Sequence, residues 1–283
     1  MRLASFKTRD RDSYGVVDGE RIIDIGYRLA SQYPTLRLAV SGLGPRAIEE
    51  AAQASEVWHR ASDIQWLPPI SDPAKVICVG LNYRAHVIET GRQPPSRPLL
   101  FTRFANSQVG HEAVLRHPGV SERYDYEGEL AVVIGRRTHR VTEAQALECV
   151  LGYTCFNDGS VRDWQEHSTH FTAGKNFLAS GACGPWIVTA DEIPDPAALT
   201  LETRVNGETW QRAPVSDLVF TIPYLISYCS TFTELLPGDM IATGTPGGVG
   251  AWRKPVYWLK DGDVVEVDIS AVGVLRNRVA GAG

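Results

Sequence analysis

The sequence lacks the uniform segments that mark secreted, membrane-bound or nucleic-acid-binding chains. Nowhere in its 283 residues do about 18 uncharged apolar residues follow one another, and the N-terminal MRLASFKTRDRDSYG carries charges where a signal peptide has an apolar run. Charge of neither sign forms a long block, and 28 Lys and Arg residues against 33 Asp and Glu residues leave a formal net charge of −5. We therefore predict a cytoplasmic protein that binds neither membranes nor nucleic acids.

Cysteine is scarce and irregularly placed. The five cysteines are an odd number, and no two of them form the C-x-x-C pair of metal or redox motifs. A chain of this length buries a core large enough to fold without disulfide bonds. We expect reduced, buried packing residues at all five positions, which are Cys78, Cys149, Cys155, Cys183 and Cys229.

The patterns that are present indicate two units. The Asp18-Gly19 step between two short apolar runs is a hairpin signal, and residues 27–60 follow with a helix-like pattern rich in Ala and Leu. The proline-dense segment 67–73 interrupts that pattern. We predict a small N-terminal α/β module over residues 1–70 and a second domain over residues 71–283.

The second domain is rich in strand candidates. Segments such as KVICVGL, ELAVVIG and DVVEVDIS contain many β-branched residues and are bounded by Gly, Pro or Asp. Helical patterns are fewer, and the clearest are Thr142–Leu151 and Ile222–Thr231. The predicted fold class is therefore mainly β with some α, an α+β architecture.

Carboxylates cluster just before one of these strands. Glu127 and Glu129 stand two apart in the segment DYEGE, so in an extended conformation both side chains project from the same face. Like charges on one face need solvent, a cationic side chain or a hard divalent cation between them. Spacing alone favours a solvated strand edge, and a lone Asp158 before Gly159 is typical of a turn or a helix N-cap.

A histidine and a glutamate lie three residues apart farther upstream. His86 and Glu89 follow the apolar segment CVGL, and on a helical turn they are close enough to hydrogen-bond. A carboxylate that accepts from imidazole fixes its tautomer and raises its basicity, as an acid–base dyad requires. The same spacing fits an ordinary surface contact, which is the better interpretation of an isolated pair.

A glycine-rich loop, TGTPGGVG over residues 243–250, follows a strand candidate near the C-terminus. Its glycines allow the backbone to approach a ligand closely. The loop lacks the Lys-Ser/Thr ending of a P-loop and the strand-to-helix context of a dinucleotide site. Phosphate and NAD binding are therefore not predicted, and a tight β turn is the simplest interpretation.

Taken together and in order, the motifs between about Lys75 and Val279 resemble the fumarylacetoacetate hydrolase family, in its bacterial isomerase/decarboxylase-like and acylpyruvase-like branch. Each motif alone would be a weak signal, whereas the ordered set is specific. The set comprises KVICVGLNYRAH, YDYEGELAVVIG, GYTCFNDGSVRDWQ, GKNF followed by GPWIV, VNGETWQ, LLPGDMIATGTPGGVG and LKDGDVVEVDISAVGVL. The resemblance implies a β-roll catalytic domain around a divalent metal ion, and a homodimer.

The resemblance also implies which residues bind the metal. In the family, the two glutamates of the E-x-E motif and the aspartate of the N-D motif bind magnesium or manganese, with calcium possible in crystals. Here these positions are Glu127, Glu129 and Asp158. Three carboxylates without His or Cys suit a hard cation whose shell is completed by water and substrate oxygens.

Further family positions are matched residue by residue. His86 and Glu89 match the pair that orients and deprotonates a water, and Lys175 matches the lysine after the N-D motif. The positions that the resemblance places against the substrate are Arg162 and Gln165 of the R-D-x-Q motif and Thr245 of the T-G-T-P loop, through a hydroxyl or an amide.

The chain departs from the family pattern in two places. Residues 178–183 read LASGAC where many relatives have D-T-F and a proline. Arg103 stands where lysine is common; its planar fork would suit a second substrate carboxylate, and a surface arginine is equally compatible. His167 and His170 are interpreted as loop residues, because the three carboxylates already account for the metal site.

The resemblance implies an enzyme that acts on a small 2-oxo acid. The leading prediction is a metal-dependent hydrolase that cleaves a carbon–carbon bond in an acylpyruvate, such as fumarylpyruvate or maleylpyruvate, in aromatic catabolism. Enolate stabilisation at the same site would also support an oxaloacetate-type decarboxylase or an enol–keto isomerase. A diketo sugar-acid hydrolase and a 2-oxo acid binding protein without turnover are also compatible with the resemblance.

Overall fold

The structure, a computed structural model, describes residues 1–281. The first 70 residues form a group of strands with two helices beside it. Its elements are β1 (Arg2–Lys7), β2 (Asp12–Asp18), β3 (Arg21–Asp24), α1 (Gly26–Leu29), α2 (Leu36–Gln53), β4 (Trp58–Arg60) and β5 (Gln65–Trp66). The predicted hairpin joins β2 to β3, with Gly19 in the left-handed region at φ 58°. Residues 58–60, predicted as helix, are instead a strand because they pair with β3.

The remaining residues supply most of the strands and five short helices. The strands are β6 (Val76–Gly80), β7 (Leu99–Thr102), β8 (Gln108–Val109), β9 (Val114–Arg116), β10 (Tyr124–Asp125), β11 (Gly128–Ile134), β12 (Val150–Asn157), β13 (Ser160–Val161), β14 (Gly181–Thr189), β15 (Thr200–Val205), β16 (Glu208–Pro214), β17 (Met240–Ala242), β18 (Val264–Ile269) and β19 (Gly273–Ala280). The helices are α3 (Arg84–Glu89), α4 (Glu143–Ala146), α5 (Arg162–Gln165), α6 (Thr172–Lys175) and α7 (Ile222–Phe232).

One 12-stranded sheet joins the N-terminal residues to the rest of the chain. Its strands follow the order β4-β3-β2-β1-β14-β12-β11-β17-β6-β7, with β5 beside β1 and β8 beside β14. The antiparallel pair β1–β14, in which Leu3 faces Ile187, makes the connection. Leu3 also shares a hydrophobic core with Ala131 and Val133 of β11. The two predicted units thus share a sheet and a core, and the boundary at residue 70 stays a prediction.

Strand β11 lies near the middle of this sheet and is buried along its whole length. It pairs with β12 on one side and β17 on the other. Leu130 and Val132 enter one hydrophobic core, whereas Ala131 and Val133 enter another. Burial on both faces explains why its sequence, GELAVVI, is almost continuously apolar after the glutamate.

A second sheet, in the order β16-β15-β18-β19-β9, packs against β11 and β12. β15 and β18 alternate buried and partly buried residues, as expected for strands with one face on a core. At Gly128 the two sheets come so close that a Cβ would lie 2.0 Å from Thr203 Oγ1. Only glycine therefore fits between the two glutamates of the E-x-E motif.

The α+β fold class predicted from the sequence is confirmed, as are the five free, buried cysteines. The helix predicted over Thr142–Leu151 is shorter: α4 begins after the Thr142 capping box and ends at Ala146, because a 3₁₀ turn and then β12 follow. None of the helices within residues 1–281 combines the length and apolar character that crossing a bilayer requires.

Candidate active site

A cleft of about 740 Å³ opens beside the 12-stranded sheet. Its walls come from β6, β7 and β11, from α3, α5 and α6, and from the loop after β17. Its titratable side chains are His86, Arg92, Arg123, Glu127, Glu129, Arg162, Glu166, His167 and Lys175. A large concave site with so many ionisable groups is the natural candidate for an active site.

The register of two central strands brings the three predicted metal ligands together. β11 pairs with β12 so that Gly128 faces Asn157, and the Asp158 N–H donates to the Glu127 carbonyl at 2.8 Å. Carboxylate oxygens of Glu127, Glu129 and Asp158 all lie within 4.8 Å of one another. All three residues are buried, which excludes the solvated strand edge that spacing alone favoured. We name these three residues the acidic cluster.

Positive side chains balance part of the acidic cluster. Lys175 Nζ lies 2.7 Å from Glu127 Oε2 and 2.6 Å from Asp158 Oδ2, and Arg162 Nη1 lies 2.5 Å from Glu127 Oε1. Burial by itself raises the pKa of Glu127, but Lys175 and Arg162 outweigh it and hold the pKa well below its ordinary value. Glu127 is therefore ionised at neutral pH.

Glu129 has a different electrostatic environment. Burial, followed by the nearby Asp158 and Glu127, raises the pKa of Glu129 well above its ordinary value. Its Oε2 accepts the Gly244 N–H at 2.9 Å, and Lys175 offsets only part of the repulsion. Ionisation of Glu129 is thus disfavoured unless a further positive charge is close by. An oxygen-preferring divalent cation fits this donor set and would supply that charge.

Arg103 lies behind the acidic cluster and not in the cleft. Its Nη1 donates to Asp158 Oδ1 at 2.5 Å and to the Gly159 carbonyl at 2.8 Å, and its Nη2 donates to Ser180 Oγ at 2.9 Å. The side chain is fully buried and is absent from the cleft wall. The alternative of a surface Arg103 is corrected, because its guanidinium is buried and hydrogen-bonds Asp158, Gly159 and Ser180. Substrate binding by Arg103 stays a prediction. Ser180 comes from the segment that departs from the family pattern.

The predicted dyad is formed on the cleft wall. Nδ1 of His86 lies 3.0 Å from Glu89 Oε2, and the other oxygen of Glu89 accepts the Gly248 N–H at 2.9 Å. A carboxylate accepts this hydrogen bond through His86 Nδ1–H, which in neutral imidazole leaves the lone pair on Nε2. His86 also lines the cleft, so its ring is placed for proton transfer to a ligand.

Asp125 is a buried residue that the sequence analysis missed. Its Oδ2 accepts from Arg162 Nε at 2.8 Å, and its Oδ1 accepts the Gly250 N–H at 2.8 Å. Asp125 thereby holds Arg162 against Glu127 and joins it to the glycine-rich loop. The D-x-E-x-E alternation, which places a third carboxylate on the face of Glu127 and Glu129, was the available signal.

A known protein family matches most of the chain. A family model described as the C-terminal domain of fumarylacetoacetate (FAA) hydrolase matches residues 75–280. The chain belongs to the fumarylacetoacetate hydrolase family. Members of this family are enzymes, hydrolases and isomerases among them.

Relatives of the family match nearly the whole chain. Oxaloacetate tautomerase YisK from Bacillus subtilis is 40% identical over 301 residues, which cover 99% of this chain and 100% of the relative. The solved structure of a fumarylacetoacetate hydrolase from Exiguobacterium antarcticum is 34% identical, with a TM-score of 0.84 and full coverage of both chains. Maleylpyruvate hydrolase from Sphingobium sp. SYK-6, solved with manganese(II) and pyruvate, is 31% identical, with a TM-score of 0.81 and full coverage of both.

The remaining predicted residues of the fumarylacetoacetate hydrolase site also have defined places. Gln165 Oε1 accepts from Arg162 Nη1 at 3.0 Å, and both residues line the cleft. Thr245 lines the cleft as well, but its hydroxyl proton is directed to the Gly128 carbonyl at 2.9 Å. His167 is exposed on the cleft wall with its ring 5.0 Å from that of Trp164, whereas His170 is not part of that wall in the described chain.

Proposed function

We propose that this protein interconverts the enol and keto forms of oxaloacetate, using Mg²⁺ or Mn²⁺ held by Glu127, Glu129 and Asp158. The observation that carries the proposal is the His86–Glu89 dyad, whose His86 lines the same cleft as Glu127 and Glu129 of the acidic cluster. The match of 99% of the chain to a protein named oxaloacetate tautomerase supports the choice among reactions. Tautomerisation needs an acid–base group and enolate stabilisation, and no second reactant.

The proposed reaction moves one proton. His86 Nε2 accepts the proton from C3 of the keto form, so the C3–H bond breaks and its electron pair passes into the C2–C3 double bond of an enolate. Glu89 stabilises the imidazolium that results. The imidazolium then returns this proton to the enolate oxygen, which completes the enol and restores neutral His86, and the reverse sequence returns the ketone. A bound divalent cation would supply a Lewis acid that polarises the 2-oxo group.

The charge of the cleft favours a dicarboxylate over a simple 2-oxo acid. Arg92, Arg123, Arg162 and Lys175 all line it, and Arg92 and Arg123 are exposed at positions outside the acidic cluster. Guanidinium groups bind carboxylates through paired hydrogen bonds. We assign the second carboxylate of oxaloacetate to this basic side of the cleft.

Carbon–carbon bond hydrolysis of an acylpyruvate is a second candidate. The size of the cleft favours it, because about 740 Å³ exceeds what the four-carbon oxaloacetate requires. The likeness to a maleylpyruvate hydrolase over the full chain supports it further. In this reaction His86 would take a proton from water, whose hydroxide adds to the distal carbonyl before the bond to the pyruvate enolate breaks.

A product-resolved assay separates the two candidates. Purified protein loaded with Mn²⁺ is given enol oxaloacetate, fumarylpyruvate or maleylpyruvate, and a chelated sample measures the background. Faster loss of the enol with no carbon dioxide or second acid is the result expected for the tautomerase. Pyruvate plus a second acid establishes the hydrolase, carbon dioxide establishes a decarboxylase, and no turnover of any substrate contradicts both candidates.

A further inference from the structure

Gln211 is a buried amide in the second sheet, and the proposed reaction gives it no role. It lies on β16 within the VNGETWQ motif, is 1% exposed and does not line the cleft in the described chain. We propose that Gln211 is a positioning residue that holds the glycine-rich loop, residues 243–250, in register with the acidic cluster. The inference rests on the proposed function only in treating the acidic cluster as a metal site.

The Gln211 side chain makes hydrogen bonds on both sides of the site through its carbonyl oxygen and both amide protons. Oε1 accepts the Gly128 N–H at 3.0 Å, while Nε2 donates to Thr245 Oγ1 at 2.7 Å and to the Pro246 carbonyl at 2.8 Å. Gly128 N can only donate and the Pro246 carbonyl can only accept, so the orientation of the amide is determined. One side chain therefore bridges the E-x-E strand and the glycine-rich loop.

Thr245 closes these contacts into a ring. Its hydroxyl accepts from Gln211 and donates to the Gly128 carbonyl at 2.9 Å. A hydroxyl has one proton, so Thr245 Oγ1 has none left for a substrate carboxylate. The ring makes the positions of the strand and the loop depend on each other.

The loop held by Gln211 supports carboxylates in three parts of the site. The Gly244 N–H donates to Glu129 Oε2 at 2.9 Å, and the Gly248 N–H donates to Glu89 Oε1 at 2.9 Å. The Gly250 N–H donates to Asp125 Oδ1 at 2.8 Å. A shift of the loop therefore misplaces a metal ligand, the dyad and the support of Arg162 together.

The variant Gln211→Met removes all three hydrogen bonds at similar volume and without a new charge. A matched control is Asn277→Leu on β19 of the same sheet, since Asn277 is also buried and donates to two carbonyls, those of Gly110 and Ala113, away from the cleft. Both variants lose buried hydrogen bonds and should unfold at lower temperature than the parent.

Hydrogen exchange of the metal-free protein tests the proposal directly. In Gln211→Met the amides of residues 244–251 should exchange at least about tenfold faster than in the parent, and in Asn277→Leu they should keep the parental rate. If the loop amides of Gln211→Met exchange at the parental rate, the proposal is overturned. If that variant does not fold, Gln211→Asn, too short to reach both sides, is measured with the same two outcomes.

Manganese titration adds a readout that a purely structural residue would not affect. The Kd for Mn²⁺ should rise by about 10–100-fold in Gln211→Met, which is the usual effect of losing a residue that supports metal ligands. Asn277→Leu should keep the parental Kd, and equal shifts in both variants overturn the proposal. If the parent binds no Mn²⁺, the proposed function fails, while loop exchange still decides the role of Gln211.

Discussion

The two ends of the cleft are built differently. At the inner end, Glu127, Glu129, Asp158 and Lys175 are all at most 6% exposed, and each is hydrogen-bonded within the protein. Their positions come from the pairing of β11 with β12 and from buried cations. The inner end is therefore organised before any substrate arrives.

At the outer wall, Arg92, Arg123 and His167 are exposed and come from segments outside the two sheets. The dyad lies between these two environments. On the six-residue α3, His86 is buried, whereas the side chain of Glu89 is 22% exposed. From this difference we expect metal binding and substrate choice to be separable by mutation. Changes at the inner end should alter folding and metal binding, whereas changes toward the outer wall should alter substrate binding or turnover and leave folding and metal binding unchanged.

Lys175→Met should produce the largest effect because it removes a buried cation between two buried carboxylates. Loss of one partner from a buried ion pair costs about 3–5 kcal/mol in the free energy of unfolding. Denaturant unfolding of the chelated protein should show this loss. Saturating Mn²⁺ should restore part of the free energy of unfolding. Lys75→Met, which removes a half-exposed partner of Asp239, is the control and should cost less. Equal losses of unfolding free energy in the two variants would contradict the expected difference between the inner end and the rest of the protein.

Glu127→Gln should weaken metal binding and activity together. Residues that merely support metal ligands contribute about 10–100-fold in affinity, so loss of a ligand should raise the Kd for Mn²⁺ by more than about 100-fold. Calorimetric titration gives the Kd, and turnover at saturating Mn²⁺ shows how much activity is recovered. Glu166→Gln on the exposed cleft wall is the control. Full activity of Glu127→Gln at low metal would exclude Glu127 as a ligand.

His86→Ala should separate chemistry from metal binding. Loss of a general acid–base group lowers turnover by about 100-fold or more. The Kd for Mn²⁺ should stay near the parental value, because His86 contacts Glu89 and none of the three carboxylates by hydrogen bond. His167→Ala, an exposed histidine on the same cleft, should have a smaller effect on turnover. Parental turnover of His86→Ala would remove the dyad from the mechanism.

The sequence predicts the members of the acidic cluster better than their surroundings. The E-x-E and N-D motifs are local, and strand pairing brings them together. Burial of Glu127 and Glu129 could not be read from spacing, because it depends on the second sheet and on cations distant in sequence. Lys175 and Arg162 reach Glu127 from residues that lie 48 and 35 positions away.

Arg103 and Gln211 illustrate why roles are harder to predict than positions. A guanidinium suits a substrate carboxylate and a protein carboxylate equally well, and only the fold shows that Asp158 lies 2.5 Å away. Gln211 belongs to a motif that the sequence analysis used for the family resemblance, yet its partners are 83 and 34 residues distant. Long-range hydrogen bonds of this kind leave no periodic trace in the sequence.

Glu129 allows the inner end to be tested through the pH dependence of metal binding, and this is the smallest of the expected effects. Its raised pKa means that in the metal-free protein it stays protonated to a higher pH than an ordinary glutamate does, and a metal ligand must release that proton. The Kd for Mn²⁺ should therefore fall as the pH rises, by up to about tenfold per pH unit, until the pH passes the pKa of Glu129 and the Kd becomes constant. Calorimetry in two buffers of different ionisation enthalpy should count close to one proton released per Mn²⁺ in the sloping range. Binding without proton release at every pH would mean that Glu129 is already ionised, and that Lys175, Arg162 and Arg103 together balance the three carboxylates of the acidic cluster.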